Sequence, residues 1–178
     1  MENKRLDLSF FNRDTVTVAR ELLGKYLVFG DYHGLIIETE AYVGKDDPAS
    51  HAFRGRTKRT EVMFGRAGYS YVYLIYGMYH CLNIVTEEEG IAGGVLMRGI
   101  NLLSPKVWCI NGPGKLCRNL GITLEHNIHD MITSDSLYVL DNPREVACEA
   151  TPRIGISVGT DKLWRFVATD YSTLFYKR

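Results

Sequence analysis

The chain has 178 residues, 46% hydrophobic and 24% charged, which is typical of an ordinary globular protein with room for one core. Its 21 basic and 21 acidic side chains cancel, which counts mildly against a general nucleic-acid binder. No apolar stretch reaches the roughly 18 residues of a membrane span, and no signal-peptide core follows the N-terminus. We expect one soluble, cytoplasmic domain over residues 1–178, monomeric and without membrane contact.

The first half of the chain predicts one helix followed by strands. Residues 14–23 place an apolar face on a helix that Gly24 would follow, because glycine favours the position just past a helix end. Strands are expected at 25–29 and 35–42, with a hairpin turn at 31–34. Residues 43–56 read as a polar loop and 57–64 as a short helix.

The second half predicts more strands around a second helix. Strands are expected at 69–76, 79–85 and 93–100, and later at 136–140, 153–158 and 163–168. The helix at 112–120 has Pro113 at its first position and Gly121 after its end. Short, adjacent strands with few intervening helices favour an α+β domain with a mostly antiparallel sheet over βαβ winding.

The spacing of thiols and imidazoles does not indicate a metal site. No H-E-x-x-H motif occurs among the five histidines. No C-x-x-C pair occurs among the four cysteines, Cys81, Cys109, Cys117 and Cys148. The simplest interpretation is four reduced, mostly buried thiols, so we expect neither a metal nor a cofactor.

Two carboxylates and an aromatic ring end the strand predicted at 35–42. Because side chains alternate along a strand, Glu38, Glu40 and Tyr42 share one face. Carboxylates seldom continue a hydrophobic strand unless they are paired or take part in chemistry. With His51 nine residues further on, the segment predicts a pocket for a planar, polar molecule.

A basic cluster follows this predicted pocket in the sequence. It comprises Arg54, Arg56, Lys58, Arg59 and Arg66 within 13 residues. A basic patch beside a pocket would attract an anionic ligand even in a chain of zero net charge. A solvated loop remains the alternative on charge alone.

Tyrosines crowd the hairpin predicted around Gly77. They are Tyr69, Tyr71, Tyr73, Tyr76 and Tyr79. Most of them fit a packed sheet face, but Tyr76 abuts Gly77 and is out of phase with Tyr73. An aromatic ring at a hairpin tip is poorly placed for a core and well placed to stack on bases or to enter a duplex step.

Two polar residues interrupt apolar strands. Asn83 lies in Cys81-Leu82-Asn83-Ile84-Val85, and Arg98 follows Val95-Leu96-Met97. Each could be a strand-end or solvent-facing residue. Together with the carboxylates and rings named above, they would supply an amide and a cation for recognition of a purine or a similar heterocycle.

These motifs, in this order, resemble the alkyladenine (methylpurine) DNA glycosylases, which excise damaged purines. The matching segments are Glu38-Thr39-Glu40-Ala41-Tyr42 with the loop to His51, Tyr71-Val72-Tyr73-Leu74-Ile75-Tyr76-Gly77-Met78-Tyr79, Cys81-Leu82-Asn83-Ile84, Val95-Leu96-Met97-Arg98, Gly112-Pro113-Gly114-Lys115-Leu116-Cys117 and Arg153-Ile154-Gly155. The resemblance spans about residues 7–175. We expect a curved, partly barrel-like sheet flanked by helices, with a protruding β-hairpin.

The resemblance implies catalytic roles for three residues. Glu40 would be the general base that activates water, and Arg98 would help to hold that water and a phosphate of the flipped nucleotide. The main-chain carbonyl of Ile154 would be a further water contact. The product would be an intact abasic site, because strand cleavage needs an amine nucleophile and no lysine falls in the pocket segments.

The resemblance also implies how the base and the duplex would be bound. Tyr42 and Tyr73 would sandwich the extruded base with His51 against its edge, Asn83 would obstruct the 2-amino group of guanine, and Tyr76 would fill the gap in the duplex. The partner would be double-stranded DNA with damaged purines such as 3-methyladenine, 7-methylguanine, hypoxanthine or ethenoadenine. If the source is bacterial, we expect the protein to be associated with the nucleoid. The DNA-contacting basic residues would be Arg54, Arg56, Lys58 and Arg59.

Two features depart from the family pattern, and two other functions stay open. His80 and the Ala52-Phe53 segment are atypical and could alter which damaged bases fit. A hydrolase of nucleosides or other N-glycosides would keep Glu40 and the stacking rings but would not need Tyr76 at a tip. A non-catalytic binder of modified bases would tolerate the loss of Glu40.

Overall fold

A curved antiparallel sheet of nine strands dominates the structure, a computed structural model that describes residues 4–170. The strands are β1 Tyr26–Phe29, β2 Tyr32–Val43, β3 Ser70–Ile75, β4 Tyr79–Val85, β5 Gly93–Ser104, β6 Trp108–Asn111, β7 Leu137–Leu140, β8 Cys148–Thr151 and β9 Arg165–Ala168. The helices are α1 Leu8–Phe11, α2 Thr15–Glu21 and α3 Pro113–Leu120, with 3-10 turns at Glu61–Phe64 and Leu124–His126. The predicted α+β class is confirmed.

The sheet curls around its two longest strands. The strand order is β3-β4-β5-β2-β1-β7; β6 pairs with β5, and the β8–β9 hairpin pairs with β2 through β9. Along one edge of β2, β1 pairs with residues 32–35 and β9 with residues 38–40. The register of β2 against β5 shifts near Glu38, and such irregularities bend a strand and increase its twist. The expected curved, partly barrel-like sheet is therefore present.

The β3–β4 hairpin protrudes from the sheet, as predicted. β3 and β4 pair from Ser70↔Ile84 to Ile75↔Tyr79, whereas β4 pairs with β5 only from Asn83 to Val85. The outer part of the hairpin thus extends beyond the neighbouring strand. Its tip is open to solvent, with Tyr76 83% exposed.

Helices α2 and α3 pack against the sheet and confirm the two predicted helices. Asp14 caps α2 by accepting a hydrogen bond from the Thr17 amide at 2.8 Å. Thr39 of β2 donates to the Ala19 carbonyl at 2.7 Å, which fixes α2 on the sheet. Helix α3 begins with Pro113 and ends at Gly121, whose left-handed φ of 79° suits glycine. Within residues 4–170, no helix has the length and apolar content needed to cross a bilayer.

Several segments differ from the sequence prediction, which did not include helix α1 or strand β8. Strand β6 was not predicted, because four residues after a proline-containing turn carry too little periodic signal. The strand predicted at 153–158 is wrong: this segment forms turns, with Gly155 at a φ of 76°, and strand β8 lies before it. The helix predicted at 57–64 shortens to one 3-10 turn at Glu61–Phe64.

A buried ion pair joins the loop after β2 to the segment after β8. Arg153 Nη1 and Nη2 each lie 2.6 Å from an Asp47 carboxylate oxygen, and both side chains are 0% exposed. Arg153 Nη1 also donates to the Ala41 carbonyl of β2 at 2.9 Å. Asp47 in turn accepts from the backbone amides of Val43 and Ala49, each at 3.2 Å. The pair therefore fixes two irregular segments to the middle of the molecule.

We predict that Asp47→Asn lowers the free energy of unfolding by about 3–5 kcal/mol, because it leaves the Arg153 charge buried without a counter-ion. Urea unfolding of the two proteins measures the difference. Glu21→Gln is the matched control: it removes an exposed carboxylate that pairs with Arg13 at 2.7 Å, and should cost no more than about 1 kcal/mol. Equal costs for the two variants would show that the buried pair does not anchor the loops.

Candidate active site

A cavity of about 290 Å³ opens between the β3–β4 hairpin, the end of β2 and the segment after β8. Seven of the residues predicted from the sequence line it: Tyr42, His51, Tyr73, Tyr76, Asn83, Arg98 and Ile154. Others that sequence reasoning did not single out for the pocket also line it, among them Ala49, Met63, Tyr71, Ile75, Cys81 and Leu96. The cavity has the size and mixed polarity of a small-molecule site.

Glu40 lies directly behind the wall of this cavity and is 0% exposed. Its Oε1 accepts a hydrogen bond from the Ile154 amide at 2.7 Å. Its Oε2 accepts from the Tyr42 hydroxyl at 2.8 Å and lies 3.5 Å from Arg98 Nη1. All three partners line the cavity, so they hold the buried carboxylate at its edge. Contact with Ile154 is through the amide N–H, whereas the resemblance implied a role for the carbonyl.

Glu38 holds the two arginines that surround this part of β2. Its Oε1 accepts from Arg98 Nε at 3.0 Å and from Arg165 Nε at 2.6 Å. Glu38 and Glu40 therefore face the same side of the strand, as their alternation predicts. Arg98 is part-buried between two carboxylates, so the solvent-facing alternative for this residue is wrong.

Two tyrosines give the cavity its aromatic surfaces. Tyr42 comes from β2 and Tyr73 from β3. Burial and the neighbouring Glu40 charge raise the pKa of the Tyr42 phenol far above its usual range. Burial, with the Cys81 thiol beside it, likewise raises the pKa of Tyr73. Both rings therefore stay neutral and can offer their faces to a flat ligand.

His51 lies at the mouth of the cavity beside the rings of β3. Its Nδ1 is 3.3 Å from the Tyr71 hydroxyl, and its ring meets that of Tyr73 edge-to-face at 4.7 Å. Desolvation against this wall, together with the Arg59 charge, lowers the pKa of His51 to about 4. The imidazole is therefore neutral at pH 7 and can exchange hydrogen bonds with a ligand edge.

Asn83 and Tyr76 occupy opposite ends of the hairpin. Asn83 is 4% exposed, and its Nδ2 donates to the Tyr71 carbonyl at 3.1 Å, so the solvent-facing alternative is wrong for it too. Tyr76 follows the last residue of β3, with a φ of 53°. Because Tyr76 is 83% exposed, it is not a core residue.

The four basic residues predicted to contact DNA are exposed. The guanidinium of Arg56 lies 4.9 Å from the centre of the Phe64 ring, and that of Arg59 lies 5.2 Å from the centre of the Tyr73 ring. Arg59 is thus beside the cavity. Arg54 and Lys58 belong to the same surface loop.

The two departures from the family pattern do not line the cavity. His80 lines a separate groove beside α3, and Phe53 is 43% exposed. Ala52 is buried below the cavity in a cluster with Met63 and Tyr71. The expectation that these residues shape the base pocket directly is therefore not supported.

The residues that the sequence did not mark are mostly apolar. Met63 belongs to the 3-10 turn, and Leu96 lies on β5. Apolar side chains in strands and turns are expected in a core, and their sequence positions give no sign that they line a cavity. Tyr71 and Cys81 do share the strand period of Tyr73 and Asn83, which could have identified them.

We predict that the imidazole signal of His51 titrates in an NMR experiment with a midpoint near pH 4. Between about pH 6.5 and 4 the unfolded chain then binds a proton that the folded chain does not, so stability falls as the pH is lowered through this window. Arg59→Gln should raise the midpoint only in part, because desolvation is the larger cause. A midpoint at 6.5 in the unmodified protein would contradict the packing described for His51.

Comparison with known proteins identifies the family. The methylpurine-DNA glycosylase family model matches residues 9–172. A protein of Sodalis glossinidius, named "Putative 3-methyladenine DNA glycosylase", is 59% identical over 93% of this chain and 98% of its own length. Proteins of the same name from Rickettsia felis and Ehrlichia ruminantium are 55% and 53% identical, over 93% and 96% of this chain and 93% of each relative. The chain therefore belongs to the methylpurine-DNA glycosylase family.

Proposed function

We propose that this chain is a monofunctional DNA glycosylase of base excision repair that flips a damaged purine out of duplex DNA and hydrolyses its N-glycosidic bond. The substrates proposed are 3-methyladenine and 7-methylguanine, with hypoxanthine and ethenoadenine as neutral candidates. The observation that carries the proposal is the buried carboxylate of Glu40, held at the wall of an aromatic cavity that opens beneath an exposed hairpin tip. Family membership supports the coarser activity, a DNA glycosylase of methylated purines.

Glu40 is the proposed general base. Two of its contacts, with Ile154 and Tyr42, are short, but the contact with Arg98 is 3.5 Å, too long for a strong hydrogen bond. A water molecule that entered between Glu40 and Arg98 could give its proton to the carboxylate while its oxygen attacks C1′ of the sugar. The electron pair of the broken bond leaves with the purine, and the carboxylate also stabilises positive charge that develops on the sugar.

The aromatic surfaces support selection of alkylated purines. A purine that carries a positive charge is attracted to the electron-rich faces of Tyr42 and Tyr73, and it departs as a neutral base. Asn83 lies in the cavity, where it would obstruct the 2-amino group of guanine. A neutral base needs a proton on departure, and with a pKa of about 4 His51 is not in the imidazolium form that could supply it at pH 7. We therefore expect cationic bases to be the better substrates.

The surface around the cavity supports a duplex substrate. Tyr76 protrudes at the tip of the hairpin and also lines the cavity mouth, so it could fill the space that a flipped base leaves. The exposed residues Arg54, Arg56, Lys58 and Arg59 add positive charge on the loop beside that mouth. An enzyme that acts only on free nucleosides would need neither the exposed Tyr76 nor the basic loop.

The proposed enzyme removes the base without cutting the DNA backbone. A glycosylase that nicks DNA forms a Schiff base through an amine, and no lysine lines the cavity in the part of the chain that the structure describes. The expected product is therefore an abasic site in an intact strand.

The test is base release from a duplex with one 7-methylguanine, together with the variant Glu40→Gln. We expect the unmodified chain to leave abasic sites, and Glu40→Gln to release base at least about 100-fold more slowly, the usual effect of losing a general base. The glutamine oxygen can keep the bond to the Ile154 amide while its NH2 group faces the Tyr42 hydroxyl. Binding to damaged duplex should therefore stay nearly unchanged.

Each alternative function gives a different result in this assay. A nucleoside hydrolase would release base from the free nucleoside and not from the duplex, and a non-catalytic binder would retain the duplex without producing abasic sites. Unimpaired single-turnover cleavage by Glu40→Gln would remove Glu40 from the mechanism. A protein–DNA adduct trapped by borohydride would show that the enzyme is not monofunctional.

We predict that Tyr76→Ala weakens binding to a duplex that contains a stable abasic analogue and leaves the melting temperature nearly unchanged. The ring contributes little to the core because it is 83% exposed, whereas its loss leaves the opened base step unfilled. The effect on single-stranded substrate should be smaller, because no stack has to be opened.

Leu82→Ala provides a contrast, since Leu82 is 0% exposed in the same hairpin and should cost about 2–5 kcal/mol of stability. A large fall in melting temperature for Tyr76→Ala with unchanged DNA affinity would make Tyr76 structural.

A further inference from the structure

A second groove lies on the other side of the β3–β4 hairpin, between the hairpin and α3. Its volume is about 350 Å³, and the residues that matter here are Met78, His80, Arg118 and Thr123. It shares no lining residue with the cavity described above. Met78 follows Gly77 at the hairpin tip and is 66% exposed, so the groove begins next to Tyr76, the residue proposed to enter the duplex.

Helix α3 closely approaches the hairpin along this groove. A Cβ atom on Gly114 would lie 3.1 Å from Cβ of Tyr79, so the absence of a side chain at Gly114 permits the approach. The contact fixes the exposed side chain of Arg118, on α3, in the lining of the groove. The groove is therefore a fixed feature of the hairpin base.

No ion pair within residues 4–170 neutralises the positive charge of α3. Helix α3 contains two cationic residues, Lys115 and Arg118, and no acidic residue. Neither cation forms an ion pair with any residue between 4 and 170. In a chain of zero net charge, an arginine without an ion-pair partner in the lining of a groove favours an anionic ligand.

We propose that this second groove binds the sugar-phosphate backbone of the undamaged strand, with Arg118 as the phosphate contact and His80 beside it. The proposal rests on the proposed function. A wedge that enters a duplex step has one strand on each side. The flipped nucleotide enters the cavity on one side of the tip, so the opposite strand must pass on the side where Met78, His80 and Arg118 lie.

The chemistry of the groove suits a backbone and not a base. An arginine guanidinium pairs with phosphate oxygens at any sequence, and such contacts position a protein on a duplex without specifying bases. A glycosylase needs this kind of contact, because the base opposite the lesion varies. The atypical residue His80 would then affect how the duplex is held, and not which damaged base fits the cavity.

The experiment combines Arg118→Gln with chemical changes to one DNA strand. The probe is a duplex with a stable abasic analogue in one strand and, in a second version, neutral methylphosphonate linkages in the opposite strand. We expect Arg118→Gln to weaken binding to the all-phosphate duplex several-fold and to reduce the slope of log affinity against log salt by about one. On the duplex with the neutral opposite strand, the variant and the unmodified protein should bind equally.

Arg20→Gln is the control, because Arg20 is an exposed arginine of α2 that lines a different groove. It should not change affinity for either duplex. Equal loss by Arg118→Gln on both duplexes would overturn the assignment to the undamaged strand. No loss at all would overturn the site. Failure of base release by the unmodified chain would instead refute the proposed function, which separates the two.

Discussion

The bidentate contact between Arg153 and Asp47 is the constraint on which the geometry of the site depends. The Arg153 guanidinium donates a hydrogen bond to the carbonyl of Ala41, the residue between Glu40 and Tyr42. It also lies 4.6 Å from the centre of the Tyr42 ring. Ile154, the next residue, donates its amide proton to Glu40. One buried cation therefore fixes the backbone of β2, the Tyr42 ring and the hydrogen bond to Glu40, the proposed base. Charges are costly to bury unless they are paired and hydrogen-bonded. The Arg153–Asp47 contact and the loops around it therefore depend on each other.

Glu40 is held in place as a hydrogen-bond acceptor. Its three partners are an amide, a phenol and a guanidinium, and each of them is a hydrogen-bond donor. Glu38 completes the arrangement from the same face of β2 by holding Arg98 and Arg165. The strand alternation thus places the proposed base, Glu40, and the carboxylate that orients Arg98 on one side of β2.

The sequence predicted the parts of the site that depend on local periodicity. The shared face of Glu38 and Glu40, the half-buried position of Tyr73 and the exposed tip at Tyr76 follow from alternation and from Gly77. The contacts of Arg153 could not be predicted, because Asp47 lies 106 residues away and no local pattern links the two. The same separation explains the wrong strand at 153–158: a β-rich run gave way to turns that bring Ile154 to Glu40. Tertiary contacts of this kind override local propensity.

The hairpin tip combines a left-handed backbone conformation with an exposed aromatic ring. Tyr76 has a φ of 53°, a left-handed conformation that costs a non-glycine residue roughly 1–2 kcal/mol. Glu87 has a comparable φ of 68°, but its carboxylate accepts two hydrogen bonds from Thr15 at 2.7 Å. Tyr76 instead holds a large ring 83% exposed. Strain of this kind clusters at functional sites, which supports the proposed role of Tyr76 in entering the duplex.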